Sequence, residues 1–144
     1  MDRQVELKFF DLDCDILFVH ENQSSHIYLV FLNLLKNAAE AVPEEGGQIT
    51  ITTSYQHGVR LAVPGMTSKM QLPLLITVTD NGAGVPDELV DHLFDAFVTS
   101  KLKGTGLGLA LVAKMINDHS GVIEFDSVPG KTTFRVMLPK AGET

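Results

Sequence analysis

Four short motifs follow one another in a fixed order, and that order constrains the fold more than any other feature of the chain. Asn33 and Asn37 lie four apart in the run FLNLLKNAAEAV. Asp80-Asn81-Gly82-Ala83-Gly84 follows a strand-like stretch, Phe94 and Phe97 come next, and Gly104-Thr105-Gly106-Leu107-Gly108-Leu109 opens a helical segment. These motifs fall in a helical run, after a strand-like stretch and at the opening of another helical segment, so the chain mixes helices and strands.

The periodicities around the motifs supply those elements. Val5 to Phe10 reads as a strand, and so does Ile16 to Val19. Ser24 or Ser25 is an N-cap candidate for a helix reaching about Val42. Its apolar positions Ile27, Val30, Phe31, Leu34, Leu35, Ala38 and Val42 recur every three or four residues and define one buried face. Gln48 to Ser54 alternates like a strand. Residues 56–70 have no regular period and read as a loop or an irregular hairpin extension. Leu72 to Thr79 reads as a central strand with Pro73 at its edge or start. A helix is expected from Pro86, another from about Gly106 to Asp118, and then strands Val122 to Phe125 and Thr133 to Leu138 joined at Val128-Pro129-Gly130. This order lacks the strict alternation of a doubly wound parallel sheet. It predicts a two-layer α/β (α+β) sandwich, with a mixed, mostly antiparallel sheet covered on one face by three helices.

A chain of 144 residues, 44% hydrophobic and 20% charged, fits one globular domain spanning 1–144. No apolar run approaches the ~18 residues of a membrane span, and the start, MDRQVELKFF, lacks a signal-peptide core. A single cysteine, Cys14, points to a reducing, cytoplasmic setting. With 18 acidic and 11 basic residues the net charge is −7, which argues against nucleic-acid binding. A polyanionic ligand would therefore need local donors and a cation.

Such donors can be named. Asn33 and Asn37 share one helix face because four residues make about one turn. An amide oxygen is a hard, neutral ligand that suits magnesium, although both amides could instead satisfy nearby backbone groups. Asp80, at a strand end, could accept a hydrogen bond from the exocyclic amine of adenine. Gly82 and Gly84 would then let the backbone approach the base. The same DNGAG is also a good turn sequence. Gly104, Gly106 and Gly108 precede a helix whose unpaired N–H groups form an anion site, with Lys101 and Lys103 beside them. The pattern is neither a GxxxxGK[ST] P-loop nor a dinucleotide fingerprint. His119, near a helix end, has a structural reading through the helix dipole.

The four motifs resemble the N, G1, F and G2 boxes of the GHKL superfamily of ATP-binding domains, which includes histidine kinases, gyrase, Hsp90 and MutL. The similarity runs from the N-box helix to the closing TTFRVMLP strand. It implies the Bergerat-type sandwich, with ATP held between the N-box helix, the G1 loop and a lid. By position, Asn37 resembles the Mg²⁺ ligand, Asp80 the adenine-binding carboxylate and Thr132 the hydroxyl near the base. Asn33, Gly82, Gly84 and Phe97 fall in boxes that line the nucleotide. Gly104, Thr105, Gly106, Leu107 and Gly108 resemble the phosphate-contacting turn.

Position 33 separates the branches. Where family ATPases and serine kinases carry a general-base Glu, this chain has Asn33, which cannot take a proton. Water and serine need that proton removed, whereas a neutral imidazole already has a free lone pair. The resemblance therefore implies a histidine kinase and disfavours a GHKL-type ATPase fragment; a regulatory module that binds nucleotide or a PII-type protein without turnover is the remaining alternative. LFDAFVTSK before GTGLGLALVAKMI, the segment DHSGVIEFDSVPGKTTFRVMLP and the VRLAVPG insertion resemble nitrogen-regulation sensor kinases in particular. In that short-lid group Lys101 approaches the γ-phosphate. No segment matches H-E-[IL]-[KR]-N-P. The chain thus reads as the catalytic and ATP-binding domain alone, monomeric, with its acceptor histidine on a separate dimerisation domain. The expected partners are that domain, indirectly a response regulator, and a PII-type signalling protein docking in the 56–70 region.

Overall fold

A computed structural model describes residues 5–10, 24–56, 58, 60–63, 65–96 and 108–139. In chain order they form β1 (Val5–Phe10), α1 (Ser24–Ala41), β2 (Gly47–Tyr55), β3 (Arg60–Leu61), β4 (Met70–Gln71), β5 (Leu74–Asp80), a 3-10 helix (Asp87–His92), α2 (Gly108–Asp118), β6 (Val122–Val128) and β7 (Lys131–Leu138). Five strands make one sheet in the order β1-β2-β5-β7-β6. β1 runs parallel to β2 and every other neighbouring pair is antiparallel. The mixed sheet is as expected. The proposed strand Ile16–Val19 lies outside the described residues.

Alternation along the central strands decides which face is covered. Leu74, Ile76 and Val78 of β5 are buried, as are Phe134, Val136 and Leu138 of β7. They meet Ile27, Val30, Leu34 and Ala38 of α1 and Val112 and Ile116 of α2 in one cluster. The three- and four-residue spacing read from the sequence is thus the buried stripe of α1. Full burial of each Val, Leu, Ile or Phe among them contributes roughly 1.5–3 kcal/mol.

The middle helix differs from expectation. After Pro86 the chain makes only the 3-10 helix DELVDH, which buries no residue. Its apolar residues, Leu89 and Val90, are adjacent and cannot form a stripe for the sheet. Among the described residues the α-helical layer is α1 and α2. Leu93 and Phe94 tie this segment back to the core, and the Phe94 ring lies edge-on to Phe125 at 5.8 Å and to Phe134 at 6.3 Å. His119 also departs from the dipole reading. Its Nε2 is buried without a hydrogen-bond partner. Burial, then the nearby His26, holds its pKa below the ordinary histidine value, so the environment favours the neutral ring.

The other face of the sheet is divided in two. One part carries threonine hydroxyl pairs, Thr52 with Thr77 and Thr79 with Thr133, and Arg135, which reaches Asp126 at 2.6 Å. The other part is covered by the insertion before β5. β3 and β4 pair as a short hairpin, and Val63 and Leu72 pack with Met137 in a second small cluster joined by Leu61, Met70, Leu75 and Val122. The irregular stretch therefore has an apolar footing, hidden from a periodicity search because its elements are two residues long. Leu34 and Leu72 are 1% and 0% exposed, one in each cluster. Leu34→Ala and Leu72→Ala are each expected to lower the unfolding free energy by about 2–5 kcal/mol in urea titration. A loss below ~1 kcal/mol for Leu72→Ala would show that the hairpin stands outside the cooperative core.

Candidate nucleotide-binding site

The alternation that buries Leu74, Ile76 and Val78 continues one step further and buries Asp80. Its strand neighbours are Ile49 on one side and Thr132 on the other. Asp80 and Thr132 are each only 5% exposed, at the strand ends beyond the apolar cluster. Oδ1 of Asp80 accepts the Gly82 N–H at 2.9 Å. Burial pushes the carboxyl above its ordinary pKa, and the Gly82 N–H opposes that shift. An acceptor and a hydroxyl thus stand side by side on the helix-covered face.

The loop after Asp80 is fixed from both sides. A Cβ on Gly82 would lie 2.5 Å from the carbonyl oxygen of Ala41, at the end of α1. No other residue type fits there without moving backbone. The close approach that this glycine permits in the structure is to a neighbouring helix end. Asn81 clasps the turn before β2: its Nδ2 donates to the Gly46 carbonyl and its Oδ1 accepts the Gln48 N–H, both at 2.8 Å. Gly84 has φ +92° and sits against the Val128 carbonyl, in the left-handed region that glycine enters freely. Gly130 N–H donates to the Gly82 carbonyl at 2.9 Å. The Val85 N–H donates to Ser127 Oγ at 2.7 Å, and Ser127 Oγ lies 2.8 Å from Thr132 Oγ1.

On α1, Asn33, Asn37 and Ala41 follow at four-residue steps and so lie on one side of the helix. Both ends of that line touch another motif. Asn33 Nδ2 donates to the Leu29 carbonyl at 3.0 Å. Its Oδ1 faces Gly108 at the start of α2, 3.6 Å from where a Cβ there would be. Ala41 abuts Gly82, so Asn37, half-buried, lies on α1 between the start of α2 and the loop after β5. Asn33, Asn37, Asp80, Gly82, Gly84, Gly108 and Thr132 are described. Phe97, Lys101, Gly104, Thr105, Gly106 and Leu107 lie outside the described residues. Sequence reasoning missed Ser127; its signal would have been the two-residue alternation Ile123, Phe125, Ser127 opposite Thr132.

The sequence signature of the family described as "Histidine kinase-, DNA gyrase B-, and HSP90-like ATPase" matches residues 22–142. The chain belongs to that family. Family membership implies ATP as the nucleotide of this domain. Among relatives, the chain is 63% identical to a sensory histidine kinase/phosphatase NtrB of Azospirillum brasilense over 114 residues, which are 79% of this chain and 28% of that protein. It is 38% identical to the NtrB of Klebsiella oxytoca over 152 residues, covering 96% of this chain and 41% of the relative. The chain therefore spans well under half the length of these relatives. Its fold is similar to the catalytic domain of histidine kinase ThkA, with TM-score 0.71 and 29% identity over 95% of this chain and 80% of that one. The sandwich read from element order is thus the architecture of a histidine kinase catalytic domain. Among the described residues, no helix is long and apolar enough to cross a membrane.

The raised pKa of Asp80 has a sign. A carboxyl that binds its proton more tightly when folded loses stabilising influence as pH rises from the unfolded carboxylate value, about 4, through the folded one. Asp80→Asn keeps an acceptor for the Gly82 N–H and has no charge to bury. The variant is expected to gain stability relative to the native chain as pH rises from about 4 to 7. Thermal unfolding across that range checks it, and a variant that loses ground with rising pH overturns the reading.

Proposed function

We propose that this chain is a single catalytic and ATP-binding domain, residues 1–144, of a nitrogen-regulation sensor histidine kinase of the NtrB type. It passes the γ-phosphoryl group of ATP to a histidine on a separate dimerisation and phosphoacceptor domain. The line Asn33, Asn37, Ala41 carries the reading, because it joins the start of α2 at Gly108 to the loop at Gly82. Adenine binds at Asp80 and Thr132 at one end of this frame. The triphosphate runs along α1 toward the turn Gly104 to Gly108, with Lys101 at the γ-phosphate.

Asn37 fits magnesium as a neutral oxygen donor, since this ion takes few protein ligands and keeps phosphates and waters for the rest. Among the described residues, no group of three or more His, Cys, Asp or Glu could hold a metal by itself. Asn37 would hold the ion together with the nucleotide's phosphates, and the ion would supply charge neutralisation there. Asn33 offers no base, and its Nδ2 is already committed to the Leu29 carbonyl. The domain positions the phosphoryl group and leaves nucleophilicity to the acceptor imidazole, whose lone pair is free near neutral pH. The whole kinase works in the cytoplasm, passes the phosphoryl group on to a response regulator, and takes input from a PII-type signalling protein.

The test mixes the chain with a purified dimerisation and phosphoacceptor domain and γ-labelled ATP. An acid-labile, base-stable label on the acceptor is expected, with free phosphate released far more slowly from the chain alone. ATP binding without any phosphohistidine would overturn the kinase reading. A turnover near one per second in the isolated chain, on the scale of ordinary enzymes, would favour an ATPase instead.

A further inference from the structure

Ser127 has no part in the reading above, yet it joins three pieces of the base-binding end. It lies on β6 directly across from Thr132, and Thr132 lies directly across from Asp80. Its Oγ takes the Val85 N–H at 2.7 Å and lies 2.8 Å from Thr132 Oγ1. Thr132 is nearly fully buried, so its hydroxyl has few directions in which to turn.

The protons in this chain can be counted. A backbone N–H only donates, so the Val85–Ser127 bond fixes Ser127 Oγ as an acceptor there. Ser127 has one proton of its own, and Thr132 Oγ1 is the oxygen beside it. Either hydroxyl could donate across this pair; with the Val85 N–H already on one Ser127 lone pair, the arrangement in which Ser127 donates uses one of the two Thr132 lone pairs and leaves the Thr132 proton to be given. The edge beside Asp80 is then one acceptor, the carboxyl, next to one donor, the Thr132 hydroxyl. Adenine presents the complement, an amine donor beside the N1 acceptor. Hypoxanthine and guanine present the reverse, a carbonyl acceptor beside an N1–H donor.

We infer that Ser127 is a specificity-determining positioning residue, which orients the Thr132 hydroxyl as a donor and so selects adenine over 6-oxopurines. The inference rests on the reading of Asp80 and Thr132 as the groups that meet the base. In this assignment Ser127 acts on the nucleotide without touching it. Its influence travels through one hydroxyl, and a buried hydrogen-bonding site rejects a mismatched partner because its own groups are left unpaired.

The experiment compares equilibrium binding of ATP and inosine triphosphate to the full chain and to Ser127→Ala and Ser127→Thr, by displacement of a fluorescent ATP analogue. The native chain is expected to prefer ATP. Ser127→Ala should reduce ATP affinity by about tenfold while inosine triphosphate affinity stays within about twofold, so the preference falls by roughly the same factor. Ser127→Thr keeps a hydroxyl on a residue that suits a strand, and should restore the preference. Equal weakening of both nucleotides in Ser127→Ala would make Ser127 a clamp on the loop and overturn the proposal. So would an unchanged ratio, or a Ser127→Thr variant that folds but does not recover the preference. If the native chain binds neither nucleotide, the base-binding reading fails first and takes this inference with it.

Discussion

The end of α1 and the loop after β5 approach so closely that a single methyl group between Gly82 and the Ala41 carbonyl would not fit. The rest of the site depends on that approach. The helix brings Asn33 and Asn37 along the same side as Ala41, and the strand brings Asp80 two residues before Gly82. If helix and loop were held apart by a side chain, these groups would no longer share one frame. The contact is maintained from outside by Asn81, whose two side-chain bonds fasten the loop to the turn leading into β2. It is maintained from the other side by the β6–β7 hairpin, through Gly130 and Ser127. Three backbone segments therefore close on five consecutive residues.

On the proposed reading, this closure would also let an acidic chain hold a polyanion. The net charge of −7 sets an unfavourable background, and Asp80 adds a carboxyl at the base end. That carboxyl is buried and its pKa raised, so burial works against its charge, and in the proposed reading it would meet the donor of the base. In the same reading the phosphate end would lie toward Gly108 at the start of α2. Separating the acceptor for the base from the donors for the phosphates would let one small domain treat two opposite chemistries.

Much of this was legible in the sequence. The buried stripe of α1 is the spacing from Ile27 to Val42, and the mixed sheet follows from an element order that never alternates strictly. Asp80 at a strand end was legible because Ile76 and Val78 set the phase of the alternation. Other parts were not. The DELVDH segment carries a favourable start at Pro86 but too little apolar surface to be more than a 3-10 turn, and start signals do not report what a helix can bury. The β3–β4 hairpin was hidden because two-residue strands show no period. The packing demand that Ala41 places on Gly82 was hidden as well, since glycine announces close approach without saying what approaches. Ser127 was hidden for a related reason: its importance comes from register across two strands, and register is a tertiary fact.

Position 33 shows how the same geometry can serve different chemistries. The side chain is short of a base but not idle: one end of its amide is tied to the Leu29 carbonyl, which turns the other toward Gly108. A carboxylate at that position would have no donor to give Leu29, so its orientation would be set by something else, such as a water awaiting activation. An amide instead makes position 33 part of the wall between α1 and α2. A site with a wall where a base would stand can hold a phosphoryl group for an acceptor that arrives with its lone pair ready, and gives water little help in taking it first.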